Sequence, residues 1–221
     1  MGPKRRRARR SRWITGTNPD PPSPSPRCRG RTTIEEAMNE TMNSAPATEI
    51  PGYLAGTWKA DPAHSEIAFS VRLLGISKTR GRFTTHDVTL VTDKNPLRSS
   101  VTATIDLASI DTGNEKRDSH LHAAEYLDVD TYPAMSYRST GIRQTVDGWA
   151  VDGELTLHGV TRQVPLTLKV NAFSSDQRDG QRASFSATAE INRRDFGINA
   201  GGVALSNKVS ISLEIQAVLH K

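Results

Sequence analysis

The chemistry available to this 221-residue chain is set mainly by six histidines and a single cysteine. His120 and His122, with Asp118 or Glu125 close by, are ligand types that suit zinc or iron. On a helix, residues two apart diverge by about 200 degrees, so the two imidazoles share an ion only where the helix is broken. A solvated polar cap is their plainer role. His64, just before Ser65 at the start of a strand, and His158, beside Gly159, could each move a proton near neutrality. No serine–base–carboxylate arrangement surrounds either of them. Cys28 sits in a Pro/Arg-rich stretch, so no intrachain disulfide, Cys-rich zinc site or iron–sulfur site can form. Dinucleotide, phosphate-loop, nucleophile-elbow and HExxH motifs are all missing. The reading from the enzyme class is therefore a metal- or proton-dependent catalyst using His64, His120 and His122. Two charged groups, Lys116-Arg117-Asp118 and Arg193-Arg194-Asp195, could hold a phosphate-bearing head group. Their plainer reading is a salt bridge tying a helix to a strand.

Charge is distributed unevenly. Residues 1–50 carry ten Lys or Arg against five Asp or Glu, and residues 51–221 carry nineteen of each, so the formal net charge of +5 belongs to one end. A basic groove for specific nucleic-acid binding is not implied, and no aromatic residues interleave a basic stripe. Residues 1–52, with MGPKRRRARRSR followed by NPDPPSPSPR, read as a disordered Arg/Pro-rich tail. A natural start at Met38 or Met42 would leave the basic block outside the working protein. No apolar run approaches the roughly 18 residues of a membrane helix, and the arginines are not followed by a signal-peptide core. The expected location is cytoplasmic, or exported if the start or leader is assigned differently.

The elements that must position any site begin near Tyr53, and the domain is expected to span 53–219. Short Thr/Val/Ile-rich runs alternate apolar and polar residues between Gly, Pro and Asp, as half-buried strands do. The rows are Ile67-Phe69-Val71, Phe83 continuing to Val88 and Leu90, Val101-Ala103-Ile105-Leu107, and Met135-Tyr137. They continue with Trp149-Val151-Leu155-Leu157, Val164-Leu166-Leu168-Val170, Phe185-Ala187-Ala189-Ile191 and Val209-Ile211-Leu213-Ile215-Ala217. About eight mostly antiparallel strands, each with one apolar face, call for a closed barrel in preference to a sandwich. Asp147-Gly148 and Gly159, with Val160-Thr161-Arg162 around the turn, mark hairpins. Residues 113–127 favour a short helix, with Asp118 capping a start near Ser119, that plugs one barrel end or crosses outside it. Small residues such as Ala68, Ala103, Ala187 and Ala189 leave room for an apolar ligand or interlock into a filled core serving as an interaction module.

The segments GTWKADPAHSEIAFSV (56–71), SKTRGRF (77–83), SIDTGNEKRDSHLHAAEYLDVDTYPAMSYRST (109–140), GELTLHGVTRQVPL (153–166) and INRRDFGIN (191–199) resemble the YceI-like family of bacterial polyisoprenoid-binding domains. The resemblance implies an all-β, extended antiparallel, lipocalin-like barrel with a short helical insertion. It also implies stoichiometric binding of a long-chain isoprenoid or other amphiphilic lipid, for transport, storage or sequestration, without catalysis, metal or cofactor. A homodimer is compatible with it. On that basis the tail would contact Phe69, Val71, Leu73, Phe83, Ala103, Ile105, Trp149, Phe185 and Ala187. The motif residues His64, Arg117, Asp118, His120, Arg193 and Asp195 would mark the head-group region. Leu73 stands where the family commonly has a histidine, which favours an apolar contact there.

Overall fold

The computed structural model describes residues 50–176 and 180–220. The basic tail, Cys28, Met38 and Met42 lie outside them. Twelve strands occur among the described residues: β1 Gly56–Ala60, β2 Glu66–Leu73, β3 Ser77–Phe83, β4 His86–Thr92, β5 Ser100–Asp106, β6 Ile110–Asp111, β7 Ala134–Thr145, β8 Gly148–Leu157, β9 Val160–Gln163, β10 Leu166–Asp176, β11 Gly180–Asn192 and β12 Leu205–His220. The helix α1 spans Glu115–His122.

These twelve reduce to eight passes of the chain. Both β1 and β2 pair with β12, through Trp58↔Leu219 and Phe69↔Ile211. Next round the ring, β4 pairs with β1 and β3 with β2; β5 then pairs with β4 and β6 with β3. On the other side β9 and β10 both pair with β8. Four passes are therefore interrupted, at 61–65, 84–85, 107–109 and 164–165, and every pairing is antiparallel. Contact between the first pass and β12 closes an up-and-down barrel, which is the expected all-β, lipocalin-like architecture and leaves Ser77–Gly81 of β3 as a short edge beyond its two-residue pairing with β6.

Each interruption has local causes. At the first, Asp61 N–H donates to Gln216 O, and Ser65 and Gln216 exchange a hydroxyl and a backbone bond. At the third, the Asp106 carboxylate accepts from Ala108 N–H and caps a 3-10 turn. At the fourth, Val164 N–H donates to Gly153 O before Pro165, which has no N–H to continue the ladder.

Three local expectations need correction. The β8–β9 turn is made by His158 and Gly159, both at positive φ (52 and 70 degrees), as a tight two-residue hairpin requires; Val160-Thr161-Arg162 are already extended and paired. Helix α1 is capped by Asn114, whose side chain accepts from Arg117 N–H, and not by Asp118. The Asp118 carboxylate instead turns back to accept from the Thr112 N–H and hydroxyl, fastening the helix to the end of β6. Ala68 faces outward beside Ser70, opposite Ser212, because its neighbours Ile67 and Phe69 take the inward positions.

The core is continuous but unevenly filled. Toward the end where β7 starts and β8 finishes, Leu107 and Phe196 are 0% and 1% exposed, joined by Leu157, Val164 and Ile198. Leu121 of α1, with Leu127 and Val129 just after it, packs onto this cluster. Arg193 is buried beneath the same end and donates to Ile198 O at 2.8 Å, Ala200 O at 2.5 Å, Ser206 O at 3.1 Å and Leu205 O at 3.2 Å. It thereby holds the loop that leads into β12.

Candidate functional site: an apolar cavity in the barrel

At the opposite end, where β4 finishes and β5 starts, the inward rows do not meet. They leave a cavity of about 110 Å³. Val88, Leu90 and Val101 form one wall, Trp149, Val151, Leu166, Leu168 and Val170 another, and Phe185, Ala187, Leu213 and Ile215 a third. Pro96, Ser99, Ser100 and Ile142 complete the lining. A strap of the chain, Ile50–Leu54, crosses it, and Ile50 and Tyr53 face into it.

The strap is fastened by few contacts. The Tyr53 hydroxyl donates to Asp93 O at 2.7 Å and lies 3.1 Å from Ser99 Oγ. Thr92, buried, donates its hydroxyl to Leu54 O and accepts from the Trp58 indole N–H. Phe173 makes edge contacts with Tyr53, Trp58 and Phe185 at centroid distances of 5.3, 5.4 and 5.7 Å. An aromatic ladder therefore runs from the strap into the interior.

Among the described residues, no charged side chain and no histidine lines the cavity; the polar side-chain groups of its lining residues are the Tyr53, Thr92, Ser99 and Ser100 hydroxyls and the Trp149 indole. Such a lining can take apolar matter out of water but offers no acid or base to a bound molecule.

Of the tail-contact residues expected from the sequence, Trp149, Phe185 and Ala187 line this cavity. Ile105 and Phe83 are buried in the filled part of the core, and Ala103 packs on it. Phe69, Val71 and Leu73 run along β2 toward the end away from the cavity: the Phe69 ring lies 5.5 Å from that of Phe83 and covers Gly81, whereas Leu73 is exposed.

None of the six expected head-group residues is in the lining. The exposed His64 ring contacts Asp61 at 2.8 Å, and this bond holds the Asp61 carboxyl below its ordinary value. Arg117 donates to the Thr112 hydroxyl and carbonyl, His120 pairs with Glu125 at 2.6 Å, and Asp195 accepts from Asn192. Burial, the largest influence on Arg193, lowers its pKa. His122 is half-buried with Nε2 unpartnered. Among the described residues no three His, Cys, Asp or Glu side chains are arranged to hold a metal ion.

Sequence reasoning missed Tyr53, Thr92, Ile142 and Phe173 as cavity residues. It also missed His86, which points inward from β4 with neither ring nitrogen partnered. Phe173 enters the lining because a bulge between Val170 and Ala172 shifts the alternation of β10. Tyr137 is buried as well; desolvation pushes its phenol pKa upward, and its hydroxyl donates within 3.1 Å of Val151 O and Val164 O. That residue holds the barrel wall where the β9–β10 pass is interrupted.

A closed up-and-down β-barrel with an uncharged internal cavity defines a lipocalin-like protein. The YceI-like domain model matches residues 58–217, and the chain belongs to the YceI-like family. A UPF0312 protein of Serratia proteamaculans is 36% identical over 171 residues, covering 76% of this chain and 89% of that protein. Protein YceI of Escherichia coli is 33% identical over 171 residues, covering 76% of this chain and 90% of its own length. Among solved structures, Burkholderia cenocepacia BcnA superposes with a TM-score of 0.62 at 24% identity, covering 72% of this chain and 99% of that one. A polyisoprenoid binding domain from Saccharophagus degradans gives 0.59 at 17% identity, covering 74% and 98%. These two structural likenesses concern the fold.

Proposed function

We propose that this protein binds, without catalysis, the apolar tail of an amphiphilic lipid of the polyisoprenoid class in the barrel cavity. The observation that carries this reading is a cavity whose side chains are uncharged throughout. Burying each methylene-sized unit contributes about 0.8 kcal/mol, so a branched hydrocarbon needs no polar partner to be held. The polyisoprenoid class is suggested by family membership and by what the Saccharophagus degradans domain is said to bind.

Size refines the proposal. An apolar void of about 150 Å³ accommodates a benzene-sized group, so 110 Å³ admits one end of a tail and not a long chain. Taking up more requires the Ile50–Leu54 strap to lift or aromatic side chains to rotate. Release would use the same movement, which suits transport, storage or sequestration equally. With one cysteine in the chain, no intrachain disulfide ties the barrel, and the reading places the protein in the cytoplasm.

Native mass spectrometry of gently purified protein, followed by titration with geranylgeraniol, tests the proposal. A stoichiometric mass excess lost on organic extraction is expected, as is saturable binding that Ala187→Trp reduces and the outward-facing Arg138→Ala does not. Unchanged capacity in a folded Ala187→Trp variant would overturn the cavity assignment.

A further inference from the structure

The β2–β3 hairpin carries a second apolar feature, separate from the cavity. Its tip exposes Leu74 and Ile76 (68% and 92%), and the neighbouring loop exposes Val203 completely. The two are tied together by Leu74 N–H donating to Ala204 O at 2.7 Å, and Leu73 pairs with Leu205 just below. Large aliphatic side chains gathered at one protruding end are uncommon on a protein surface without a partner.

The two stretches of chain that build this tip carry charges of one sign. Residues 67–81 and 198–213, the two stretches that build it, contain Arg72, Lys78, Arg80 and Lys208 and no Asp or Glu. Arg72 and Lys78 are directly opposite each other in the β2–β3 register, with Arg80 two residues further along the same exposed face. Like charges placed opposite one another weaken a strand pair. Lys208 is paired with Glu190, and Arg82, next in the row, with Asp111; Arg72, Lys78 and Arg80 have no counter-ion among the described residues. Cations on the partly unpaired β3 edge also discourage strand addition, but a charge of either sign does that, and it leaves the aliphatic tip unexplained.

From these observations we infer that the β2–β3 tip docks on an anionic phospholipid bilayer, with Leu74, Ile76 and Val203 entering the interface and Arg72, Lys78 and Arg80 meeting the head groups. Aliphatic insertion flanked by cations is the arrangement that such a surface favours. The docking does not depend on the cavity.

Flotation of the full chain with phosphatidylcholine vesicles containing about 30% phosphatidylglycerol tests the inference. Leu74→Ser with Ile76→Ser is expected to weaken partitioning at least about tenfold, an effect that persists at high salt. Arg72→Gln with Lys78→Gln is expected to weaken it about fivefold per charge at low salt, and much less when the charges are screened. The arginines of residues 5–10 are common to all variants, so differences between variants belong to the tip. In Ile76→Trp, the added emission should shift to the blue and be quenched by brominated lipid. Absence of vesicle binding, unaltered partitioning of the serine variant, or an unquenched Trp at position 76 in vesicle-bound protein would each overturn the inference. So would a serine variant that breaks a dimer in sedimentation while leaving vesicle binding intact, because the patch would then be a self-interface. Ala187→Trp should leave vesicle binding unchanged, which separates failure of this inference from failure of the lipid-cavity reading.

Discussion

Around Phe196 the barrel interior is filled by side chains from strands, a 3-10 turn and the segment after α1, whereas around Phe173 the same alternating strands leave an uncharged void under a strap. The difference lies in what is added to the strands. At the filled end, Leu121, Leu127 and Val129 and the Arg193–Phe196 turn fold inward, and Arg193 fixes the following loop with bonds to four carbonyls. At the other end, among the described residues, the additions are Ile50–Leu54 and the loop carrying Pro96 and Ser99, and the strap is fastened chiefly by one tyrosine, one threonine and an aromatic edge. The division of work expected from this is that one end supplies stability and the other accommodates a ligand.

The largest test of that contrast compares two phenylalanines. Phe196→Ala is expected to cost about 3–5 kcal/mol in urea unfolding, because a fully packed site cannot collapse around the loss. Phe173→Ala, beside an existing void, should cost less stability and alter tail binding more. Equal costs would break the contrast. Next in size is a pair of insertions: Ala103→Trp overpacks the filled core by about 1–3 kcal/mol, while Ala187→Trp projects into the cavity, costs less, and removes tail capacity. Calorimetry beside ligand titration separates the two outcomes. Tyr53→Phe removes the hydroxyl bond of the strap, an expected change of about 0.5–1.5 kcal/mol, and should speed ligand exchange in stopped-flow measurements more than it changes affinity.

The smallest effect concerns pH. Asp61 is held below its ordinary value of 3.8, first by the His64 hydrogen bond. Its contribution is present above that unfolded-state value and is lost as pH falls through the lower folded-state value. Acid unfolding of Asp61→Asn should therefore show a shallower decline below about pH 4 than the parent. An identical acid limb would remove Asp61 from the account of the first interruption.

Most of the eight passes were legible because alternation survives in each row, from Ile67-Phe69-Val71 to Val209-Ile211-Leu213. The interruptions carry a subtler signal: the inward residues change parity. Trp58 and Ala60 are followed by Ile67 and Phe69, Phe83 by Val88 and Leu90, and Leu107 by Ile110, so three of the four breaks carry an odd step. Val170 followed by Phe173 marks the bulge in the same way. The cavity was less legible because its walls meet only on closure. Which end of each row faces which depends on register, and nothing in the spacing of Trp149 or Ala187 distinguishes them from Ile105 or Ala103. The charged motif residues showed the converse. Arg117, Asp118 and Arg193 form a conspicuous pattern in the sequence, yet their donors and acceptors are used on Thr112 and on loop carbonyls.

The hairpin tip and the strap lie at opposite poles, since β2 ends at Leu73 on one side while β4 ends at Thr92 on the other. A molecule tethered by the first pole would therefore present its doorway to the water. Cargo could pass to a soluble acceptor while the tether held, but drawing a tail straight out of the same leaflet would require letting go and turning over.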